Sequence, residues 1–220
     1  MKLATIAHEG GYRVALVDAE RGQAWPVDWL LPEDERGVAD DMVELIRRWP
    51  DGPGGLQPLG TGLPLSSVEL SAPIRRPRRN LFCVGKNYRE HAKEFTRSGY
   101  DSTASRAADA IPDVPIVFTK AANTVTGPDA PILAIPGFDA QLDYEAELAV
   151  VIGIGGRGIR KADAWRHVWG VTIANDVTAR DVQARHKQWF LGKSFDGACP
   201  MGPWIVTRDE IGEKGLVLTC

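Results

Sequence analysis

Residues 142–153 read LDYEAELAVVIG, an alternating pattern that predicts a β-strand. Side chains alternate across a strand, so Leu142, Tyr144, Ala146, Leu148, Val150 and Ile152 share one face. The other face carries Asp143, Glu145 and Glu147, followed by Ala149 and Val151. A solvated face accounts for the acids but not for the apolar residues that continue it. Residues two apart on a strand lie roughly 6.5–7 Å apart, so Glu145 and Glu147 can bend toward a single ion. Without a cation, their repulsion in a partly buried site would raise a pKa and cost stability; a divalent cation reverses the sign. Asp176 ends the apolar run VTIAND, where a side chain can emerge at a sheet rim. Glu145, Glu147 and Asp176 form a hard-oxygen set that favours Mg²⁺, Mn²⁺ or Ca²⁺ over Zn²⁺. Spacing alone leaves an exposed strand face as the alternative, because E-x-E is common in strands.

Two further clusters could do chemistry. In NYREHAKEF, His91 and Glu94 are three apart and share one side of a short helix, where a carboxylate can orient an imidazole and raise its basicity. A histidine of ordinary pKa so held is a general base at neutral pH; the alternative is a surface pair. In TARDVQARHKQWFLGKSFDG, Arg180 and Gln183 are three apart, and Lys193 sits among apolar and small residues. Cations beside a hard-metal site suit a substrate bearing carboxylates, whereas the alternatives are helix-surface polarity and a paired lysine. His8, His167 and His186 have no comparable partner and read as structural or surface residues. Gly153, Gly155 and Gly158 in GIGGRG match a dinucleotide fingerprint, with Asp176 closing the next strand. The central strand of such a fold is buried on both faces, which would place Glu145 and Glu147 in an apolar core, so the glycines read as turn-formers.

These clusters must be carried by a β-rich α+β scaffold. Short alternating runs fill residues 1–30, VADDMVELIRRW (residues 38–49) has helical spacing, and PDGPGG ends that helix. Residues 1–72 therefore form an expected small N-terminal α+β domain, and SAPIRRPRRN leads into residues 73–220. NLFCVG, PIVFTK, VTIAND and MGPWIVT read as strands, IRKADAWRHVWG as a helix, and the polar stretch between Phe95 and Pro112 as a lid. The chain has 220 residues, is 44% hydrophobic and carries a net charge of −3, which gives no general attraction to nucleic acid or an anionic membrane. Four arginines around the linker proline, Arg75, Arg76, Arg78 and Arg79, read as solvated or locally paired. No signal-peptide h-region or membrane-spanning run is present, and Cys83, Cys199 and Cys220 are odd in number and far apart. A cytoplasmic protein is expected.

NLFCVGKNYREHAKE, PIVFTKAANT, LDYEAELAVVIG, GVTIANDVTARDVQ and QWFLGKSFDGACPMGPWIV, in this order, resemble the fumarylacetoacetate hydrolase family from about Pro73 to Val206. The resemblance implies a mixed β-sandwich roll, a homodimer, and Mg²⁺ or Mn²⁺ held by Glu145, Glu147 and Asp176. It implies that His91 and Glu94 activate water, that Lys193 contacts substrate oxygens, and that Lys120, Arg180 and Gln183 line the substrate pocket. A water is expected to replace the further aspartate ligand of the larger members, since Val84 or Gly85 lies in that region, which points to the smaller bacterial-type branch. Family members continue past the point where this chain stops at GLVLTC, through a TGTPAGVG-like substrate loop, so a fragment or a reduced variant is expected.

The activity implied is metal-dependent hydrolysis of a C–C bond in an acylpyruvate-type diketo acid, with a metal-bound enolate as leaving group. The same constellation supports decarboxylation or isomerisation of 2-oxo or 2-hydroxy-dienoate diacids of aromatic catabolism, and ureidoglycolate lyase activity occurs on the scaffold. QWFLGKSFDG and CPMGPW look most like the isomerase/decarboxylase members. A non-catalytic binding or scaffold protein is the alternative of a different class.

Overall fold

The computed structural model describes residues 1–37, 39–88, 92–93, 96–97, 111–138, 140–186, 188–211 and 216–219. His91 and Glu94, most of the expected lid, and Cys220 lie outside the described residues.

Strands dominate. The chain runs β1 (Lys2–His8), β2 (Gly11–Asp18), β3 (Gln23–Pro26), β4 (Leu63–Pro64), β5 (Glu69–Ser71), β6 (Leu81–Gly85) and β7 (Ile116–Lys120). It continues through β8 (Val125–Thr126), β9 (Leu142–Asp143), β10 (Ala146–Ile152), β11 (Val168–Asn175), β12 (Thr178–Ala179) and β13 (Cys199–Thr207). Among the described residues, one large sheet has the order β10-β11-β13-β1-β2-β3-β4, with β5 added on β1 and β8 on β13. Its pairings are antiparallel except the short β8–β13 contact. The N-terminal strands thus join the sheet of the later ones through the antiparallel β1–β13 pair.

The alternation of β1 and β2 supplies a core on each face of this sheet. Leu3, Val14, Leu16, Trp169 and Ile205 meet Met42, Leu45 and Ile46 on one side. Ala4, Ile6, Ala15, Val17 and Ala24 meet Leu63, Leu70 and Trp204 on the other. Helix α1 (Met42–Arg48) is shorter than its apolar spacing predicts. The Asp41 side chain caps it by accepting from the backbone N–H of Val43 at 2.7 Å and of Glu44 at 3.3 Å. Fully burying each of its three core residues, Met42, Leu45 and Ile46, is worth about 2 kcal/mol. IRKADAWRHVWG, expected as a helix, is a 3₁₀ segment over Lys161–His167 that passes directly into β11. Gly153 follows a packing demand: a Cβ there would stand 2.4 Å from the Pro50 carbonyl oxygen and 2.9 Å from Trp169.

The predicted strand over 142–153 is two strands, β9 and β10, interrupted at Tyr144 and Glu145. Its partner is interrupted opposite, between β11 and β12. At the break the Asn175 side chain accepts from Glu145 N–H at 3.0 Å, and Asp176 N–H donates to the Glu145 carbonyl at 2.8 Å. The apolar face turns outward, with Tyr144 67%, Val150 48% and Ile152 57% exposed, so the acidic face is the one directed inward.

Candidate active site

Each site residue reaches the cleft from a different element. Glu145 lies in the β9–β10 break and Asp176 just beyond β11, so the antiparallel pairing of Ala146 with Asn175 sets these two acids side by side. Glu147 lies opposite Ala174, further along the same face. Lys120 ends β7, which pairs with β6 from Leu81↔Lys120 to Gly85↔Ile116. Arg180 opens α2 (Arg180–Arg185), with Gln183 one turn on, and Lys193 ends α3 (Phe190–Lys193). Gly192 permits α3 to sit this close, because a Cβ there would fall 2.8 Å from Gln183 N and 3.0 Å from the Ala179 carbonyl oxygen.

The charged groups interlock. The Lys193 ammonium donates to Glu145 Oε2 at 2.5 Å, to Asp176 Oδ2 at 2.6 Å and to Thr178 Oγ1 at 2.8 Å. Lys120 Nζ stands 2.8 Å from Asp176 Oδ1 and donates to the carbonyls of Val177, at 3.2 Å, and of Lys193. Arg180 spans Glu145 Oε1 at 2.5 Å, Asp143 Oδ2 at 2.8 and 2.9 Å, and the Gln183 side-chain oxygen at 3.0 Å. Lys120, Lys193, Asp176 and Gln183 are buried. Three cations thus face four carboxylates, and Glu147 stands outside this set of bonds.

This environment separates two carboxylates of the same chemical type. Burial pushes the Glu145 carboxyl up, but the Lys193 ammonium and Arg180 guanidinium outweigh it and hold it down at about 2. Burial also pushes Glu147 up, and the negative charges of Asp176 and Glu145 add to it, so its pKa rises to about 7. Burial disfavours the charged form of Lys193, yet Asp176 and Glu145 prevail and its pKa is raised. Burial pushes the Cys83 thiol up to about 12 and the Cys199 thiol up to about 11. Both thiols stay protonated at neutral pH and are poor nucleophiles.

The acids and cations form one end of a cleft of about 810 Å³. Cys83 and Val84 of the β6–β7 hairpin form one wall, while Ile46, Ile74 and Val151 line its apolar end. A cleft of this size with a few convergent polar groups is the ordinary form of a small-molecule site.

Among the described residues, no three His, Cys, Asp or Glu side chains are drawn together as an ion-holding group. The Lys193 ammonium stands between Glu145 and Asp176 instead. The donors nevertheless suit a hard divalent cation. All are carboxylate oxygens, and burial first, then the charges of Asp176 and Glu145, push the Glu147 carboxyl up. Asp176 Oδ1 is buried without a hydrogen-bond partner among the described residues, with Lys120 Nζ 2.8 Å away as its counter-charge.

Seven residues singled out by spacing or resemblance therefore meet at one place: Glu145, Glu147, Asp176, Lys193, Lys120, Arg180 and Gln183. His91 and Glu94 lie outside the described residues. Thr178, bonded to Lys193 and to Glu145 Oε2 at 3.2 Å, was not anticipated. Its signal was its place two residues beyond Asp176 on an extended segment. Asp143 belonged to the acidic face read from the sequence but received no role there; it grips Arg180. Of the linker arginines, Arg78 and Arg79 line the cleft, and Arg75 lies 3.2 Å over the Tyr12 ring.

The profile of the "Fumarylacetoacetate (FAA) hydrolase C-terminal" family matches residues 80–220. Oxaloacetate tautomerase YisK of Bacillus subtilis is 52% identical over 149 residues, covering 68% of this chain and 46% of the relative. The chain thus spans about half the length of that relative. A fumarylacetoacetate hydrolase from psychrophilic Exiguobacterium antarcticum superposes with a TM-score of 0.69 at 36% identity, over 95% of this chain and 67% of that one. A 2-hydroxyhepta-2,4-diene-1,7-dioate isomerase from Mycobacterium marinum does so with a TM-score of 0.64 at 29% identity, over 94% and 66%.

Proposed function

Because the chain belongs to the fumarylacetoacetate hydrolase family, we propose that it interconverts the enol and keto forms of a small 2-oxo diacid of the oxaloacetate type, with Glu145, Glu147 and Asp176 holding Mg²⁺ or Mn²⁺. The observation that carries the reading is the meeting of these three carboxylates with Lys193, Lys120 and Arg180 at one end of a single cleft. Naming of the relative YisK as an oxaloacetate tautomerase supports the substrate class.

A divalent cation, when bound, would polarise the 2-oxo group and favour its enolate. The chain's own residues supply the rest. Arg180, fixed by Asp143 and Gln183, orients a substrate carboxylate. Lys193 donates toward the oxygen on which negative charge grows, and its burial excludes the water that would screen it. To His91, with Glu94 three residues on in the sequence, we assign the transfer of the proton between the substrate oxygen and its C3 carbon. Glu145, held ionised far below neutral pH by its cationic neighbours, remains an oxygen donor across the physiological range.

Cleft volume favours a second reading within the same family. About 810 Å³ exceeds what a four-carbon acid fills, and the apolar end could take the acyl tail of an acylpyruvate. C–C hydrolysis of such a diketo acid needs an activated water in addition, which His91 and Glu94 would have to supply.

The test follows the ultraviolet absorbance of enol oxaloacetate with Mg²⁺, against a protein-free control containing the same Mg²⁺. Faster loss of the enol with protein, abolished in Glu145→Ala, is the expected result. No acceleration, together with turnover of acylpyruvates, would replace tautomerisation by hydrolysis. Undiminished activity in Glu145→Ala would reject the site.

A further inference from the structure

The ammonium of Lys193 occupies the space between two acids that the proposed function assigns to a cation. It touches Glu145 Oε2 at 2.5 Å and Asp176 Oδ2 at 2.6 Å, and Thr178 Oγ1 completes its three bonds at 2.8 Å. An ammonium has three donors, so this environment satisfies it fully. The other oxygens of the same acids are also engaged, Glu145 Oε1 by Arg180 and Asp176 Oδ1 by Lys120. Lys193 is 3% exposed, and the Phe118 ring lies 5.0 Å from its nitrogen, so water does not share its role.

From this arrangement we infer that Lys193 is a tethered counter-cation that closes the carboxylate cage when no metal is present, and that a divalent ion enters only by displacing its ammonium. Glu145 and Asp176 cannot both turn their Lys193-bound oxygens to an incoming ion while the ammonium lies between them. Metal binding therefore breaks the two ion pairs, and the freed ammonium is left beside the ion. Lys193 becomes a substrate-facing donor as a consequence of metal entry. The Thr178 hydroxyl, which bonds both Lys193 and Glu145, is the positioning group for the closed arrangement.

The inference rests on the reading that Glu145, Glu147 and Asp176 receive a divalent cation, and the experiment separates the two. Mn²⁺ affinity is measured by titration calorimetry on the wild type and on Lys193→Met, without substrate. A ligand that binds a state populated in a fraction of molecules is weakened by that fraction; a cage open in a tenth of them gives about tenfold tighter Mn²⁺ binding once Lys193 is removed. The metal-free variant should melt below the wild type, and Mn²⁺ should raise its melting temperature by more than it raises that of the wild type. Wild-type binding with no tightening in the variant overturns the inference and leaves the metal reading standing. No Mn²⁺ binding by either protein overturns both. If Lys193→Met does not fold, nitrogen-15 spectra of the wild-type lysine ammonium groups decide, with Lys193 assigned in Lys193→Arg. A slowly exchanging Lys193 signal that vanishes or shifts with saturating Mg²⁺ supports displacement; one that persists unchanged refutes it.

Discussion

Replacing Lys120 by methionine tests whether the cleft floor is held together by buried charge. Lys120 is 1% exposed and its ammonium meets three acceptors: Asp176 Oδ1 at 2.8 Å, the Val177 carbonyl at 3.2 Å and the Lys193 carbonyl. Methionine keeps the stem's volume, so little cavity is made and the loss is electrostatic. Breaking a buried ion pair from one side costs about 3–5 kcal/mol. Asp176 keeps Lys193 at 2.6 Å, which argues for the lower end. Two carbonyls that lose a buried donor add to the loss, each worth about 1 kcal/mol or more when left unpaired. A destabilisation of about 5 kcal/mol is expected, equivalent to a melting temperature lower by roughly 10–20 °C for a chain of this size. Urea unfolding without metal measures it. A cycle with Asp176→Asn then apportions it: the double variant should lose about 1–3 kcal/mol less than the sum of the singles, because the two groups interact. A loss below about 1 kcal/mol, or strict additivity, would refute the reasoning, since a 2.8 Å contact between two buried charges could not be so weak.

Gly192→Ala should cost about 1–3 kcal/mol by overpacking, since its Cβ would meet Gln183 N at 2.8 Å, and should lower kcat by displacing Lys193; a thermal melt beside a rate assay checks both. Asp143→Asn weakens the clamp on Arg180; losing about 1 kcal/mol of orientation at this half-exposed pair should raise KM about fivefold and leave kcat nearly unchanged, read from steady-state kinetics. Metal-free stability should fall as pH rises from about 4.5 to about 7 through Glu147. Its folded pKa lies above its unfolded value, so its contribution is complete below the lower figure and lost through the upper one. Glu145 contributes in the opposite sense, with stability present above 4.5 and lost as pH falls through about 2, so it is constant across that window. Glu147→Gln should remove the slope in chelator-treated protein, as followed by urea unfolding across the window.

Much of the strand order was legible because alternation and turn residues are local. NLFCVG, PIVFTK and MGPWIVT appear as β6, β7 and β13 within a residue or two. What went astray was also local in origin. IRKADAWRHVWG has apolar spacing that suits a helix, but Trp169 lies in β11, where its indole N–H donates to the Trp49 carbonyl at 2.7 Å. A partner 120 residues away settled that segment. The break at Tyr144 and Glu145 left no trace in the alternation, because Asp143, Glu145 and Glu147 keep their common face across it.

Covalent geometry alone placed three acids on one side of a strand, and the order of recurring motifs was sufficient to assign the family. Which side of that strand turned inward was a tertiary decision. An acidic face is buried only where opposite charge meets it, and the opposing charge comes from β7, α2 and α3, elements distant in sequence. Tertiary packing also made Glu145 and Glu147 unlike, because only one of them gained cationic partners when Lys193 and Arg180 arrived.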